Sequence, residues 1–268
     1  MCELFAMSAR HPATVSLSLE EFSRHGGLSG PHKDGWGIGW YEDRDFRLIK
    51  ERDPAASSAC VRFIQTNPFS SALVLSHIRK ATLGPVASRN CQPFVRELGG
   101  VWHSFAHNGD LKGRAADRRL RVESFHAVGE TDSEQAFCAL LEALRPLWSS
   151  GTVPPIGARR QVVARFAAAL RQLGPANFLY CDGDALFAHA DRRHQSDGSI
   201  QAPGLWRLAR RCPAGGELAA EGLRIASEGA EQEVFLVASV PLTAEGWLAL
   251  GEGEVVVARQ GRIEYETG

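Results

Sequence analysis

The chain has 268 residues, 44% of them hydrophobic and 23% charged, and carries a formal net charge of -1. That length buries a substantial core as one large domain or two small ones, and the balanced charge offers no basic field to a phosphate backbone, which argues against a nucleic-acid partner. No apolar run approaches the ~18 residues of a membrane span and the N-terminus lacks the basic-then-apolar pattern of a signal peptide, so the expected location is the cytoplasm, with no membrane partner.

The opening Cys2-Glu3-Leu4-Phe5-Ala6-Met7 is short, mostly apolar and without helix caps. It predicts a buried strand that starts almost at the terminus and holds residue 2 rigidly. A helix is expected through Leu19, Glu20 and Phe22, then a glycine-rich loop with Gly26, Gly27, Gly30, Pro31 and Gly35. Alternation over residues 36–41 and 46–49 predicts two strands. Residues 58–65 read as a short helix, and residues 73–77 as a buried strand ending in the polar cluster from Arg79 to Thr82. Residues 101–107 repeat that form and end in Asn108-Gly109. Thr131-Asp132-Ser133-Glu134 is a capping-box pattern, followed by Phe137, Leu140, Leu141 and Leu144 at helical spacing. A second helix is expected over residues 159–173. Residues 177–180 and 185–188 flank Asp182-Gly183 as a hairpin, and strands return at 205–208, 234–238 and 254–259.

The order is strands, helices, strands. It predicts an α+β domain with sheets packed face to face and helices outside, rather than a regular βαβ alternation. Residues 149–155 look like a linker but are short and lie between two helices, so residues 1–268 are read as a single domain.

Six cysteines (Cys2, Cys60, Cys91, Cys138, Cys181 and Cys212) show no C-x-x-C pair, which argues against a zinc finger or ribbon. In a reducing compartment the internal five read as small buried hydrophobes. Cys2 differs. Once the initiator Met1 is removed, one residue carries both a thiol and an α-amine, and an α-amine titrating at ~7.7–8.0 can take the proton as the thiol attacks. Taken alone, a Cys after Met1 is more often incidental.

Three other strings bear on chemistry. Arg79 can grip a carboxylate with two prongs, although from its string alone a basic surface turn is the plainer reading. Asn108-Gly109 can offer a side-chain amide and a main-chain N–H side by side, the donor pair of an oxyanion hole; an ordinary Asn-Gly turn is the plainer reading. Asp132 sits in a first helical turn, where its charge suits the helix dipole, and opposite Arg79 it would complete a clamp for an amino-acid head group. His103 and His107 share a strand face without a third ligand in pattern, so no metal is expected, and nothing calls for another cofactor.

Together these strings resemble the class II glutamine amidotransferases, N-terminal-nucleophile enzymes that show Cys at the mature start, then H-x-R-x-A-T-x-G, H-N-G and T-D-[ST]-E. Here they stand as Cys2, His77 to Gly84, His107-Asn108-Gly109 and Thr131 to Glu134. The likeness extends to the stand-alone YafJ-like subgroup through Met1-Cys2-Glu3-Leu4, Gly30 to Ile38, Gln92-Pro93-Phe94, Gly129 to Phe137 and Pro241-Leu242-Thr243.

The resemblance implies a four-layer αββα sandwich of the N-terminal nucleophile hydrolase type with Cys2 on the first strand. It implies that Cys2 attacks a γ-glutamyl amide, that Asn108 and Gly109 hold the oxyanion, and that Arg79, Thr82 and Asp132 bind the substrate. Lys80 and Leu83 depart from the aromatic residue and His that synthase members carry there. Three functions stay open on these residues: a glutaminase passing ammonia to a partner synthase, a hydrolase of another γ-glutamyl amide or peptide, and an inactive binding or regulatory subunit.

Overall fold

The computed structural model describes residues 2–14, 33–81, 83–112, 122–149, 151–195, 197–212, 217–220, 223–226 and 231–267. The expected helix through Leu19, Glu20 and Phe22, the loop residues Gly26, Gly27, Gly30 and Pro31, and Thr82 lie outside them.

The chain opens with β1 (Glu3–Thr14), the hairpin β2 (Trp36–Glu42) and β3 (Asp45–Glu51), helix α1 (Ala59–Thr66) and β4 (Ser70–Ile78). The second hairpin, β5 (Phe94–Leu98) and β6 (Val101–Gly109), leads to helices α2 (Asp132–Trp148) and α3 (Ile156–Arg171), then β7 (Ala176–Cys181) and β8 (Leu186–His189). A ribbon of β9 (Arg193–His194) and β10 (Ile200–Gln201) precedes β11 (Trp206–Cys212), and another pairs β12 (Glu217–Ala220) with β13 (Leu223–Ala226). The chain closes with β14 (Gln232–Ala238), β15 (Leu248–Ala249), β16 (Val255–Arg259) and β17 (Arg262–Thr267).

Among the described residues, one sheet runs β15-β11-β14-β1-β4-β2-β3 and the other β17-β16-β8-β7-β6-β5. The apolar run that opens β1 explains its place at the centre of the first. Successive side chains alternate faces, and here both faces are covered. Leu4 and Ala6 pack between the sheets with Leu75, Ala106, Leu179 and Phe235. Phe5 and Met7 turn to the other face, with Trp36, Ile38, Val61 and Ile64. Outside the second sheet, Phe137, Leu140 and Leu144 of α2 and Phe166 of α3 cover Phe105 and Phe178. Each such side chain contributes about 1.5–3 kcal/mol by leaving water. The layers therefore run helix, sheet, sheet, helix, as expected, and among the described residues the eight of α1 form the outer layer on the first sheet.

Local signals hold up with two corrections. Ser58 caps α1 by accepting from Val61 N at 3.1 Å, and Thr131 caps α2 by accepting from Glu134 N at 3.2 Å. Glu134, however, accepts from Val128 N at 3.1 Å and Gly129 N at 2.7 Å and pairs with Arg96, which ties down the segment before the helix. Helix α3 starts earlier than Arg159, directly behind Pro155, whose fixed φ and missing N–H suit a helix start. The hairpin at Asp182-Gly183 is present, with Gly183 at φ 82°.

Candidate active site

Cys2 stands one residue before the first paired position of β1, where Glu3 lies opposite Ile78 of β4. On the other flank Phe5 lies opposite Ala238 of β14. Ser239 holds Leu4 at both polar atoms, its Oγ accepting from Leu4 N at 3.0 Å and its N donating to Leu4 O at 3.0 Å. A terminus anchored on both sides of a central strand does not fray. The rigidity expected of residue 2 follows from that position.

The Cys2 thiol lies against the segment that follows β4. Lys80 N donates to Sγ at 3.2 Å, and Sγ faces Lys80 O at 3.4 Å. Burial of the sulfur pushes the thiol pKa up, partly offset by the Lys80 N–H and by the positive charge of Arg79, while Asp132 pushes it up further. The thiol is therefore protonated near neutral pH, and attack needs a base. The same electrostatics show that Arg79 and Asp132 both lie within reach of the sulfur's charge.

Arg79 is 3% exposed, which corrects the basic-surface-turn alternative. Its guanidinium donates to main-chain oxygens: Pro85 O at 3.2 Å and Asp34 O at 3.4 Å through one nitrogen, Leu83 O at 2.9 Å and Gly84 O at 3.3 Å through the other. No carboxylate among the described residues pairs with it. Asp34 also accepts from Ala81 N at 2.8 Å, which fastens this segment to the leading end of β2.

Asp132, 5% exposed, is the first residue of α2. Its oxygens accept from Leu111 N at 2.9 Å and Ser133 N at 3.0 Å. Its place thus serves the helix start and the end of β6 together.

Asn108 and Gly109 are the last two residues of β6, not a turn, because β7 continues the ladder beside them: Asn108 lies opposite Asn177 and Gly109 opposite Ala176. The Asn108 side-chain amide donates to Cys2 O, so this strand end abuts the start of β1. Asp110 N donates to Pro175 O at 3.3 Å. That phase turns the Gly109 N–H away from β7, toward the edge where β5 has ended. No acceptor among the described residues meets it. A Cβ on Gly109 would lie 1.9 Å from Pro175 O, so only glycine fits.

Sequence reasoning gave no role to several supporting side chains, although His107, Ser133 and Gln92 stand in the strings quoted above. Buried Asn177 donates to Asn108 O at 3.3 Å and Arg192 O at 2.9 Å and accepts from Asp191 N at 2.7 Å. Ser133 Oγ lies 2.9 Å from His107 Nδ1, and Gln92 and Asn90 bond the backbone around the site. These contacts span many residues and leave no local pattern. Thr82 lies outside the described residues.

A cavity of about 350 Å³ lies elsewhere, at the other end of the sandwich, lined by Tyr41, Arg44, Val101 and Asp182 among others. Val101 opens β6 and Gly109 closes it, so a strand length of about 26 Å, at ~3.3 Å per residue, separates it from the Cys2 end. Asp182 and Asp184 on its wall already pair with Arg159.

The family described as glutamine amidotransferases class-II matches residues 1–267. A relative from Escherichia coli (strain K12), named putative glutamine amidotransferase YafJ, is 37% identical over 259 residues, covering 95% of this chain and 96% of the relative. The crystal structure of a predicted glutamine amidotransferase from Pseudomonas aeruginosa superimposes with a TM-score of 0.70 at 33% identity, covering 98% of this chain and all of that one. Glutamine phosphoribosylpyrophosphate amidotransferase from B. subtilis shares the fold at a TM-score of 0.62 and 14% identity, covering 99% of this chain and 49% of that one. The layered sandwich is thus of the N-terminal nucleophile type, and the chain belongs to the class II glutamine amidotransferase family.

Proposed function

We propose that residues 1–268 form a single cytoplasmic amidohydrolase domain that cleaves a γ-glutamyl amide through a thioester on Cys2, releasing glutamate and an amine, with glutamine and ammonia as the leading case. The observation that carries this reading is the buried Arg79 guanidinium, held by main-chain carbonyls, beside the residue whose N–H meets the Cys2 thiol. A buried cation without a counter-ion is costly unless a ligand supplies the anion. An amino-acid carboxylate suits it in charge and shape, with Asp132 taking the α-ammonium and Thr82 adding a contact.

With Met1 removed, the Cys2 α-amine takes the thiol proton as Sγ attacks the γ-carbonyl carbon. The oxyanion is held by the Gly109 N–H and the second hydrogen of the Asn108 amide, whose first lies on Cys2 O. Collapse returns that proton to the departing amine and leaves the thioester. Water, deprotonated by the same α-amine, then releases glutamate and restores the thiol. These steps use the chain's own groups and no cofactor.

Lys80 favours a second reading. Its main chain touches the thiol, while its side chain is exposed where synthase relatives carry an aromatic ring. An ammonium there suits a leaving amine that bears a carboxylate, as in a γ-glutamyl peptide. A partner synthase would instead receive free ammonia, and an inactive subunit would show no turnover. Measuring glutamate release from glutamine beside a panel of γ-glutamyl amides and peptides tests the reading. Selective, Cys2-dependent release is expected; equal rates on every compound would refute a shaped pocket, and no release would refute the activity.

A further inference from the structure

We infer that Asn90 and Gln92 are positioning residues that set the separation between the substrate clamp and the oxyanion donors, an inference that rests on the proposed function of this site. The register of β5 on β6 places Phe94 opposite Phe105 and Leu98 opposite Val101. Carried two residues back, it puts Gln92 opposite His107. There the side chain, not the main chain, closes the ladder: Nε2 donates to His107 O at 3.2 Å and Oε1 accepts from His107 N at 2.6 Å. A primary amide offers the donor and acceptor of a peptide group without prolonging the strand. Continued main-chain pairing would place a carbonyl on the next N–H along this edge, that of Gly109. The Gln92 side chain ends the ladder one step short and leaves that donor open.

The segment is seated on the first sheet. A Cβ on Gly37 would lie 2.2 Å from Gln92 O, and Lys50 Nζ donates to Cys91 O at 3.2 Å. Asn90, fully buried, does the corresponding work for the clamp. Its Nδ2 donates to Pro85 O at 3.0 Å and to Glu130 Oε2 at 2.8 Å, and its Oδ1 accepts from Glu130 N at 3.0 Å. Pro85 O is also an acceptor for Arg79, and Glu130 stands two residues before Asp132. Asn90 thereby joins the Arg79 loop to the Asp132 loop, and Gln92 joins the same segment to β6.

The two residues consequently act on different kinetic terms. Gln92→Ala is expected to lower kcat on a γ-glutamyl amide about 100-fold, the scale of a ~1 Å displacement of a reacting group, with KM little changed. Asn90→Ala is expected to raise KM more than it lowers kcat. Gln92→Glu gives a pH signature. Its protonated carboxyl can donate to His107 O and accept from His107 N, whereas the carboxylate repels His107 O, so activity relative to wild type rises as pH falls.

Alkylation of Cys2 by iodoacetamide, which needs neither clamp nor oxyanion hole, should be unaffected in all three variants. Residue-resolved amide hydrogen exchange supplies a readout without substrate: Gln92→Ala should speed exchange at residues 107 and 108 alone, and Asn90→Ala at residues 83, 84, 86 and 128–131 alone. Parallel losses of kcat in both variants, or exchange speeding equally at all of these positions, would overturn the inference in favour of general support of the fold. Wild-type protein lacking Cys2-dependent turnover would overturn the functional reading instead, and the exchange pattern would still decide the positioning claim.

Discussion

Arg79 and Arg159 are both buried, 3% and 1% exposed, at opposite ends of the same sandwich, and they differ in what answers their charge. Arg159 of α3 reaches Asp182 at 2.7 Å and Asp184 at 2.6 Å, a closed group that fastens the outer helix to the hairpin between β7 and β8. Arg79 is ringed by carbonyl dipoles and has no carboxylate partner among the described residues. Burial and charge alone therefore do not mark a site. The distinction lies in the counter-ion, which carboxylates of the fold supply at one end and none of the described residues supplies at the other; in the proposed reading a ligand brings it, which is why the cavity beside Asp182 is not the proposed centre of chemistry.

The largest effect expected at the Cys2 end is on turnover itself. Cys2→Ala should reduce glutamate release by at least about 10³-fold while leaving the melting temperature near that of wild type. Substantial residual release would break the comparison, since Arg79 would then have a bound amino acid but no nucleophile to present it to.

The arginine pair sharpens it next. Arg159→Met leaves Asp182 buried without its partner and should cost about 3–5 kcal/mol in urea unfolding, with KM unchanged in the protein that remains folded. Arg79→Met should instead raise KM about 100-fold by removing the charge-assisted grip on a carboxylate, with the smaller loss of stability. Interchanged outcomes would show that the two arginines have been assigned the wrong way round.

A smaller and global effect comes from histidines buried in the second sheet. Burial lowers His103 and His189 to about 4, below the ~6.5 of an unfolded chain. The unfolded state then takes up protons first as pH falls. Their contribution is complete above about pH 6.5 and is lost toward pH 4, the loss reaching about 2 kcal/mol each at pH 5. Melting temperatures at pH 7 and pH 5 check this, and an unchanged value would contradict it. Least of all, Arg89→Ala removes a solvent-exposed pair with Glu130 and should leave the melting temperature unchanged.

What could be read from the sequence divides by range. The cap at Thr131 and the hairpin at Asp182-Gly183 were legible because each is settled within four residues of chain, whereas Ser58 was read as the first residue of a helix and proves to be its cap. The apolar opening of β1 was legible because a strand covered on both faces carries no polar side. The Asn-Gly pair was ambiguous because only β7, far along the chain, decides that it ends a strand rather than making a turn. The Glu134 carboxylate was misassigned because its partners precede the box that predicted it. Gln92 entered only as part of the Gln92-Pro93-Phe94 string of the resemblance, without a role, and Asn90 gave no signal: their bonds span 15 and 40 residues, and a buried amide in a loop looks like any other polar residue until its partners are in place.

The central claim is that Cys2 is a mature N-terminal nucleophile beside an amino-acid clamp. Intact-mass spectrometry before and after reaction with a diazoketone analogue of glutamine tests it most directly. The account predicts a chain lacking Met1 that gains one adduct, mapped to Cys2 and absent from Cys2→Ala. A retained Met1, or equal labelling of Cys2→Ala, would contradict it.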